Sequence, residues 1–123
     1  MLLVDTHVLL WWLADDDRLT APMRSAMAEA GMRVFVSAAS VWEMAIKSQL
    51  GKLSIPEGLD GEMERQGFEE LVVTHADALA AGSLPPHHAD PFDRMLIAQA
   101  ARRDLVLVSA DRRFAGYDVR LLR

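Results

Sequence analysis

The most restrictive feature of this chain is the alternation of short apolar runs with helix-like stretches along its whole length. Leu2-Leu3-Val4, Arg33 to Val36, Leu71-Val72-Val73 and Leu105 to Val108 each read as a strand, and Val119 to Leu122 as a fifth. Between them, helical patterns run from Val8 to Leu13, from Thr20-Ala21-Pro22 to about Ala30, from Ser37 to Leu50, from Glu57 to Gln66 and from His75 to Gly82. The clearest helix opens at Asp90-Pro91 and runs to Arg103. Gly31, Gly51 and Gly67 stand where helices should end, and Leu84-Pro85-Pro86-His87-His88 must be a loop. Strands joined through helices pair in parallel and need cover on both faces. The expected fold class is therefore α/β, a mostly parallel sheet of about five strands with helices on both faces. Sites in such sheets gather outside the carboxyl ends of the strands, near the point where the strand order reverses.

A chain of 123 residues fits one domain, taken as residues 1–123, without repeats or linkers. There is no cysteine, which removes disulfides and thiolate metal sites and makes the cytoplasm the expected compartment. The apolar N-terminal stretch is broken by Asp5 and His7 and lacks a basic leader, so neither a signal peptide nor a membrane span is expected. A net charge of −5 argues against indiscriminate coating of nucleic acid. The average hides a basic C-terminal quarter: seven arginines against three acids from Arg94 onward. That quarter can hold a phosphate backbone locally, or it can be a solvated helix face.

Four acids carry the chemical argument. Asp5 immediately follows the first strand, and Asp111 lies three residues beyond Val108. Glu43 sits in the second turn of the helix after the second strand, and Asp93 in the first turn of the helix begun by Asp90-Pro91. Strand ends and the starts of the following helices share one edge of a parallel sheet, so these four carboxylates are expected to converge there. Hard divalent cations take oxygen ligands. Each acid also has a plainer reading, which the residues leave open. Asp5 can cap a helix, Glu43 can pair with Lys47 four residues on, Asp93 stands where a capping-box acid belongs, and Asp111 can start a turn.

Longer stretches around these acids resemble the PIN-domain ribonucleases. They are Leu-Leu-Val-Asp-Thr-His at 2–7, Val-Ser-Ala-Ala-Ser-Val-Trp-Glu-Met-Ala-Ile-Lys at 36–47, His-His-Ala-Asp-Pro-Phe-Asp-Arg-Met-Leu-Ile-Ala-Gln-Ala at 87–100 and Leu-Val-Ser-Ala-Asp-Arg-Arg-Phe at 107–114. The branch most resembled is the VapC-type toxins of bacterial toxin–antitoxin pairs. The resemblance implies a metal-dependent endoribonuclease that cleaves single-stranded RNA (transfer, ribosomal or messenger) with Mg²⁺ or Mn²⁺, by in-line attack of a metal-activated water. It implies that Asp5, Glu43 and Asp93 are the core acids and Asp111 a fourth, more variable one, with Thr6 and Ser109 supporting them. It also implies a homodimer held inactive by a small antitoxin that inserts into or over the active site.

Around that core, Arg94, Arg112 and Arg113 are candidate RNA-phosphate contacts, since a guanidinium fork suits a phosphate. Asp90 caps the helix or orients Arg94; the cap is the expected role. Adjacent His87 and His88 are expected in a loop or rim role rather than as ligands of one ion. Trp11 and Trp12 cannot both point inward, so one is expected to cover a dimer surface, and Asp15 to Asp17 form a solvated loop. The competing class is a Mg²⁺-binding phospho-acceptor signalling domain. Such domains carry adjacent acids after the first strand and a lysine after the last core strand, whereas here Thr6 follows Asp5 and the only lysines, Lys47 and Lys52, lie far from Val108 in sequence. A non-catalytic interaction domain is the remaining alternative.

Overall fold

The computed structural model describes residues 1–123, and no helix in it is long and apolar enough to cross a membrane. Strands β1 (Leu2–Val4), β2 (Val34–Ser37), β3 (Glu69–Leu71), β4 (Val106–Val108) and β5 (Leu121–Leu122) form one sheet in the order β3-β2-β1-β4-β5. Every neighbouring pair is parallel. The connecting helices are α1 (Thr6–Leu13), α2 (Ala21–Ala28), α3 (Ala38–Gln49), α4 (Leu59–Arg65), α5 (His75–Gly82) and α6 (Pro91–Arg103), with a 3₁₀ turn at Arg112–Gly116.

The pleat sends alternate residues of each strand to opposite faces. Leu2 and Val4 of β1 join Val34, Val36 and Val108 in a core roofed by Val8, Leu9, Met23, Met44 and Leu59 from the first four helices. Leu3 points the other way, with Leu107, onto Leu96, Ile97 and Ala100 of α6 and Phe114 and Tyr117 of the 3₁₀ segment. The central strand is therefore buried on both sides, which is why it reads as an unbroken apolar run. After α3 and α4 the chain turns at Gly51 (φ +71°) and Gly67 (φ +76°), left-handed positions that glycine takes without strain.

Two element boundaries move relative to the sequence reading. The third strand is Glu69–Leu71 rather than Leu71–Val73: Glu69 and Glu70 pair with Phe35 and Val36, while Val72 and Val73 leave the sheet and are exposed. β3 is an edge strand, where charge is tolerated and an apolar run does not mark the paired residues. A two-toothed ion pair from Arg33 to Glu69 (2.8 and 2.7 Å) ties this edge to the start of β2. The fifth strand is also an edge and keeps only Leu121 and Leu122 of the expected run.

The chain builds β1, β2 and β3 outward on one side, then crosses back to place β4 on the other side of β1. The strand order reverses between β1 and β4, and there the loops after Val4 and Val108 diverge to leave a crevice. Val4 pairs with both Val36 and Val108, so the carboxyl ends of these three strands lie level.

Candidate active site

Asp5 is the residue at which β1 becomes α1. Its backbone N–H still bonds to Val108 O (3.1 Å), and its Oδ1 already accepts from Val8 N (2.8 Å) as the helix cap. The plain reading and the functional one are thus both met, because a cap holds the carboxylate rigidly at the mouth of the crevice. Ser37 caps α3 in the same manner, and one turn further on α3 delivers Glu43. Asp90 caps α6 by accepting from the N–H groups of Phe92 (2.8 Å) and Asp93 (3.2 Å), with Pro91 at the first helical position. Asp93 does not close a capping box. Its side chain turns instead to His88, whose Nε2 lies 2.7 Å from Oδ2.

The four acids expected to converge do so. Asp5, Glu43, Asp93 and Asp111 line one cavity of about 540 Å³, together with Thr6, His7, Asp90 and a rim of Trp11, Arg18, Lys47, Arg112 and Arg113. At its wall, one nitrogen of the buried His88 and one oxygen each of Asp93 and Asp111 lie within 4.8 Å of one another.

The carboxylates are not equivalent. Glu43 is buried, and both its oxygens are engaged inside the protein: Oε1 accepts from Thr6 Oγ1 (2.6 Å) and Oε2 from Lys47 Nζ (2.5 Å). The Glu43–Lys47 pair is real, but it is not the exposed helix pair that spacing alone suggests. Lys47, remote from β4 in sequence, reaches the cleft and faces the charges of Asp90 and Asp93. Asp111 caps the 3₁₀ turn through Arg113 N and takes a fork from the Arg113 guanidinium (2.7 Å at Nη2), which holds its carboxyl below the usual range. That arginine is mostly exposed, so the pair is weak and exchangeable.

No lysine or arginine is bonded to Asp5 or Asp93. Burial is the main force raising the Asp5 carboxyl, against the Ser109 hydroxyl and the Val8 N–H, which lower it. Asp93 is pushed up to about 6, first by burial and then by the charge of Asp90, with the His88 bond pulling the other way. Two carboxylates that resist ionisation in a crevice free of thiolates are a hard-oxygen donor set short of positive charge. The residues therefore fit Mg²⁺ or Mn²⁺. The supporting residues contact this set as expected: Thr6 bonds Glu43, and Ser109 Oγ accepts from Asp111 N (3.0 Å).

Two sequence expectations change. Arg94 is no phosphate contact: its guanidinium donates to the carbonyls of Ala81, Leu84, Pro85 and His88 at 2.9 to 3.2 Å and moulds the loop before α6. His88 is not at a rim: it is buried and bonded to Asp93, whereas His87 turns away onto Tyr117 (ring centroids 5.1 Å apart). Trp11 borders the cleft under the Arg18 guanidinium (5.3 Å), and Trp12 bonds Gln66 and rests on Phe68; both are half-buried. The 15–17 loop is solvated as expected, with Asp15 and Asp17 exposed, and it carries surface pairs from Asp15 to Arg24 and from Asp16 to Arg18. His88 and Asp90 are the cleft acids and bases that residue counting missed or set aside. The one available signal was their position just before the first turn that carries Asp93.

The sequence pattern of the PIN domain matches residues 2–119. The chain belongs to the PIN-domain family. Among characterised PIN domains, it is 30% identical over 118 residues to "Ribonuclease VapC22" of Mycobacterium tuberculosis (strain ATCC 25618 / H37Rv), covering 94% of this chain and 90% of that one. This PIN domain thus falls in the VapC branch. Its fold is shared with a VapBC from Salmonella typhimurium solved bound to DNA (TM-score 0.72, 18% identity, 98% of this chain and 96% of that one). It is shared equally with a toxin–antitoxin complex from Klebsiella pneumoniae (TM-score 0.71, 16% identity, 100% and 97%). Membership removes the phospho-acceptor signalling alternative and gives the acidic crevice of this PIN domain a chemical context.

Proposed function

We propose that this PIN domain is a divalent-cation-dependent endoribonuclease that hydrolyses phosphodiester bonds of single-stranded RNA, and that it serves as the toxin of a toxin–antitoxin pair. One observation carries the reading. Carboxylates from four separate segments line a single crevice at the reversal of strand order, and two of them, Asp5 and Asp93, are raised by burial with no lysine or arginine bonded to them. The ribonuclease named among its relatives supports the substrate class.

In this reading Asp5 and Asp93 hold Mg²⁺ or Mn²⁺ directly. Such a cation supplies Lewis-acid activation of water and stabilises negative charge on the leaving oxygen. Glu43, with both oxygens bonded, acts one step removed: it fixes Thr6 and holds the Lys47 ammonium at the cleft, where a substrate phosphate would meet it. Asp111 completes the acid set when Arg113 swings off to a phosphate. Arg112, Arg113 and Arg18 form the basic rim that an RNA backbone needs beside an acidic floor. Rim arginines offset the overall charge of −5 where the substrate binds, and leave the rest of the surface unattractive to RNA.

A small antitoxin is the proposed partner, with a positively charged segment suited to the same acidic floor. The homodimer implied by the family resemblance has apolar surface available at Trp42 (64% exposed), Val72, Val73 and Leu79. Trp42 meets Phe92 edge-on at 5.3 Å, directly behind Glu43 and Asp93.

The test is cleavage of total and transfer RNA by purified protein with Mn²⁺, with chelator, and with Asp5→Asn. Cleavage should need the ion and fall by about 100-fold or more in the variant, the scale seen when one preorganised charge-stabilising group is lost. Unchanged cleavage by Asp5→Asn would overturn the assignment.

A further inference from the structure

The loop between α5 and α6 is built around a histidine that the acid constellation does not require. His88 is buried, with 3% of its side chain exposed. Its backbone N–H donates to Tyr117 Oη (2.9 Å), and its carbonyl accepts from Arg94 Nη1 (3.2 Å). Tyr117 is itself anchored, donating to Pro85 O (2.8 Å), and the imidazole lies tilted on Phe114 at 6.0 Å between centroids. Arg94 binds three more carbonyls of the same loop. A ring confined on so many sides has one orientation.

That orientation fixes the roles of the two ring nitrogens. Nδ1 faces the backbone N–H of Asp90 at 3.5 Å, a long contact, but one that suits only a lone pair. With Nδ1 accepting, Nε2 is the ring's donor, and it points at Asp93 Oδ2, 2.7 Å away. A nitrogen that is donating a proton has no lone pair for a cation. Although His88, Asp93 and Asp111 are close enough together to share an ion, the imidazole is placed to hold a carboxylate rather than to ligate. Asp93 Oδ1 makes no bond to the protein, so the His88 bond to Oδ2 settles which carboxylate oxygen is left for the cleft.

Resting on the nuclease reading above, we propose that His88 is a positioning residue for the cation site: its Nε2–H pins Asp93 Oδ2 and leaves Oδ1 as the ligand. Removing the partner that orients a ligating group typically weakens metal binding 10- to 100-fold.

Mn²⁺ and Mg²⁺ binding to the purified full chain, followed by calorimetry without RNA, tests this with three proteins: wild type, His88→Leu and His88→Gln. The glutamine amide can place an N–H where Nε2 now lies; leucine cannot. Circular dichroism and melting establish that each variant is folded, and His88→Gln carries the test if His88→Leu is not. The expected result is at least about a tenfold loss of affinity in His88→Leu, equal for the two ions, and His88→Gln within about threefold of wild type. Wild-type affinity in His88→Leu overturns the proposal. So does a His88→Gln as weak as His88→Leu, or a loss confined to Mn²⁺, since a nitrogen ligand favours Mn²⁺ over Mg²⁺. Wild-type protein that binds neither ion overturns the cation site itself, and the role of His88 with it.

Discussion

Asp77 and Asp93 occupy the same place in two neighbouring helices, the third residue of α5 and of α6, and both carboxylates are largely or wholly buried. Their fates are opposite. Asp77 closes a capping box with Thr74, and it receives Arg102 and both nitrogens of the Arg103 fork from the far end of α6. Those partners hold its carboxyl far below the usual range, with the Arg103 bond as the main cause. Asp93 sits at the other end of the same helix bonded to one imidazole, beside a neighbouring acid and with no lysine or arginine bonded to it, and its carboxyl is raised to about 6. α6 thus carries bases at its C-terminus that satisfy a structural acid and acids at its N-terminus that remain in want of charge. The helix dipole favours both placements, so the dipole does not distinguish them. What distinguishes them is whether the protein supplies the counter-charge or leaves it to a ligand.

That contrast can be broken most forcefully at Asp77. Asp77→Ala should destabilise the fold by about 3 kcal/mol, the lower end for breaking a buried pair because Arg102 and Arg103 keep access to water. The melting temperature should drop by about 10 °C. Asp93→Asn should leave it equal or higher. If the two variants lose stability alike, the division into a structural and a functional acid is wrong.

Added cation should act on one end of α6 only. At a hundredfold excess over its dissociation constant, Mg²⁺ or Mn²⁺ should stabilise the wild-type protein by about 2.7 kcal/mol by linkage. The same melting series on Asp93→Asn should show most of that gain gone. A wild-type melting curve indifferent to tens of millimolar of either ion would count against the site.

The smallest effect is on pH. Asp93 has a folded value (about 6) above its ordinary 3.8, so its contribution to stability is full below pH 3.8 and is lost as pH rises through 6. In metal-free protein this should lower stability by about 2 kcal/mol between pH 4 and pH 7, and Asp93→Asn should remove that slope. Asp77, with its value lowered, behaves in reverse and withdraws its contribution as pH falls below 3.8. Comparing melting curves of the two variants across pH 3 to 7 separates the slopes.

Much of this was readable along the chain. Leu2-Leu3-Val4 is apolar on both faces because it is the central strand, and the cap at Asp90-Pro91 fixes the start of α6 to the residue. These are local or two-sided signals, and they survive folding. Edge strands gave weaker ones: at Glu69–Leu71, open on one side, burial no longer dictates residue type, and the apolar Val72-Val73 pair misplaced the strand by two positions. The candidate site divides the same way. Parallel pairing put Asp5 and Asp111 at one edge, and the helix starts together with the family resemblance brought Glu43 and Asp93 to it. That Arg94 would face inward to four carbonyls, and His88 toward Asp93, followed from nothing within a few residues of either.

Read alone, the order of residues determined the parallel α/β class, the helix starts and the set of acids at the strand ends, because periodicity and capping act within a turn or two of chain. Tertiary structure alone decided which acid meets a base. That choice depends on partners brought within 3 Å across 25 or more positions, as Asp77 meets Arg102 and Arg103, whereas no lysine or arginine bonds Asp93. Coulomb energy and burial act through space, and distance in space is what a sequence does not record.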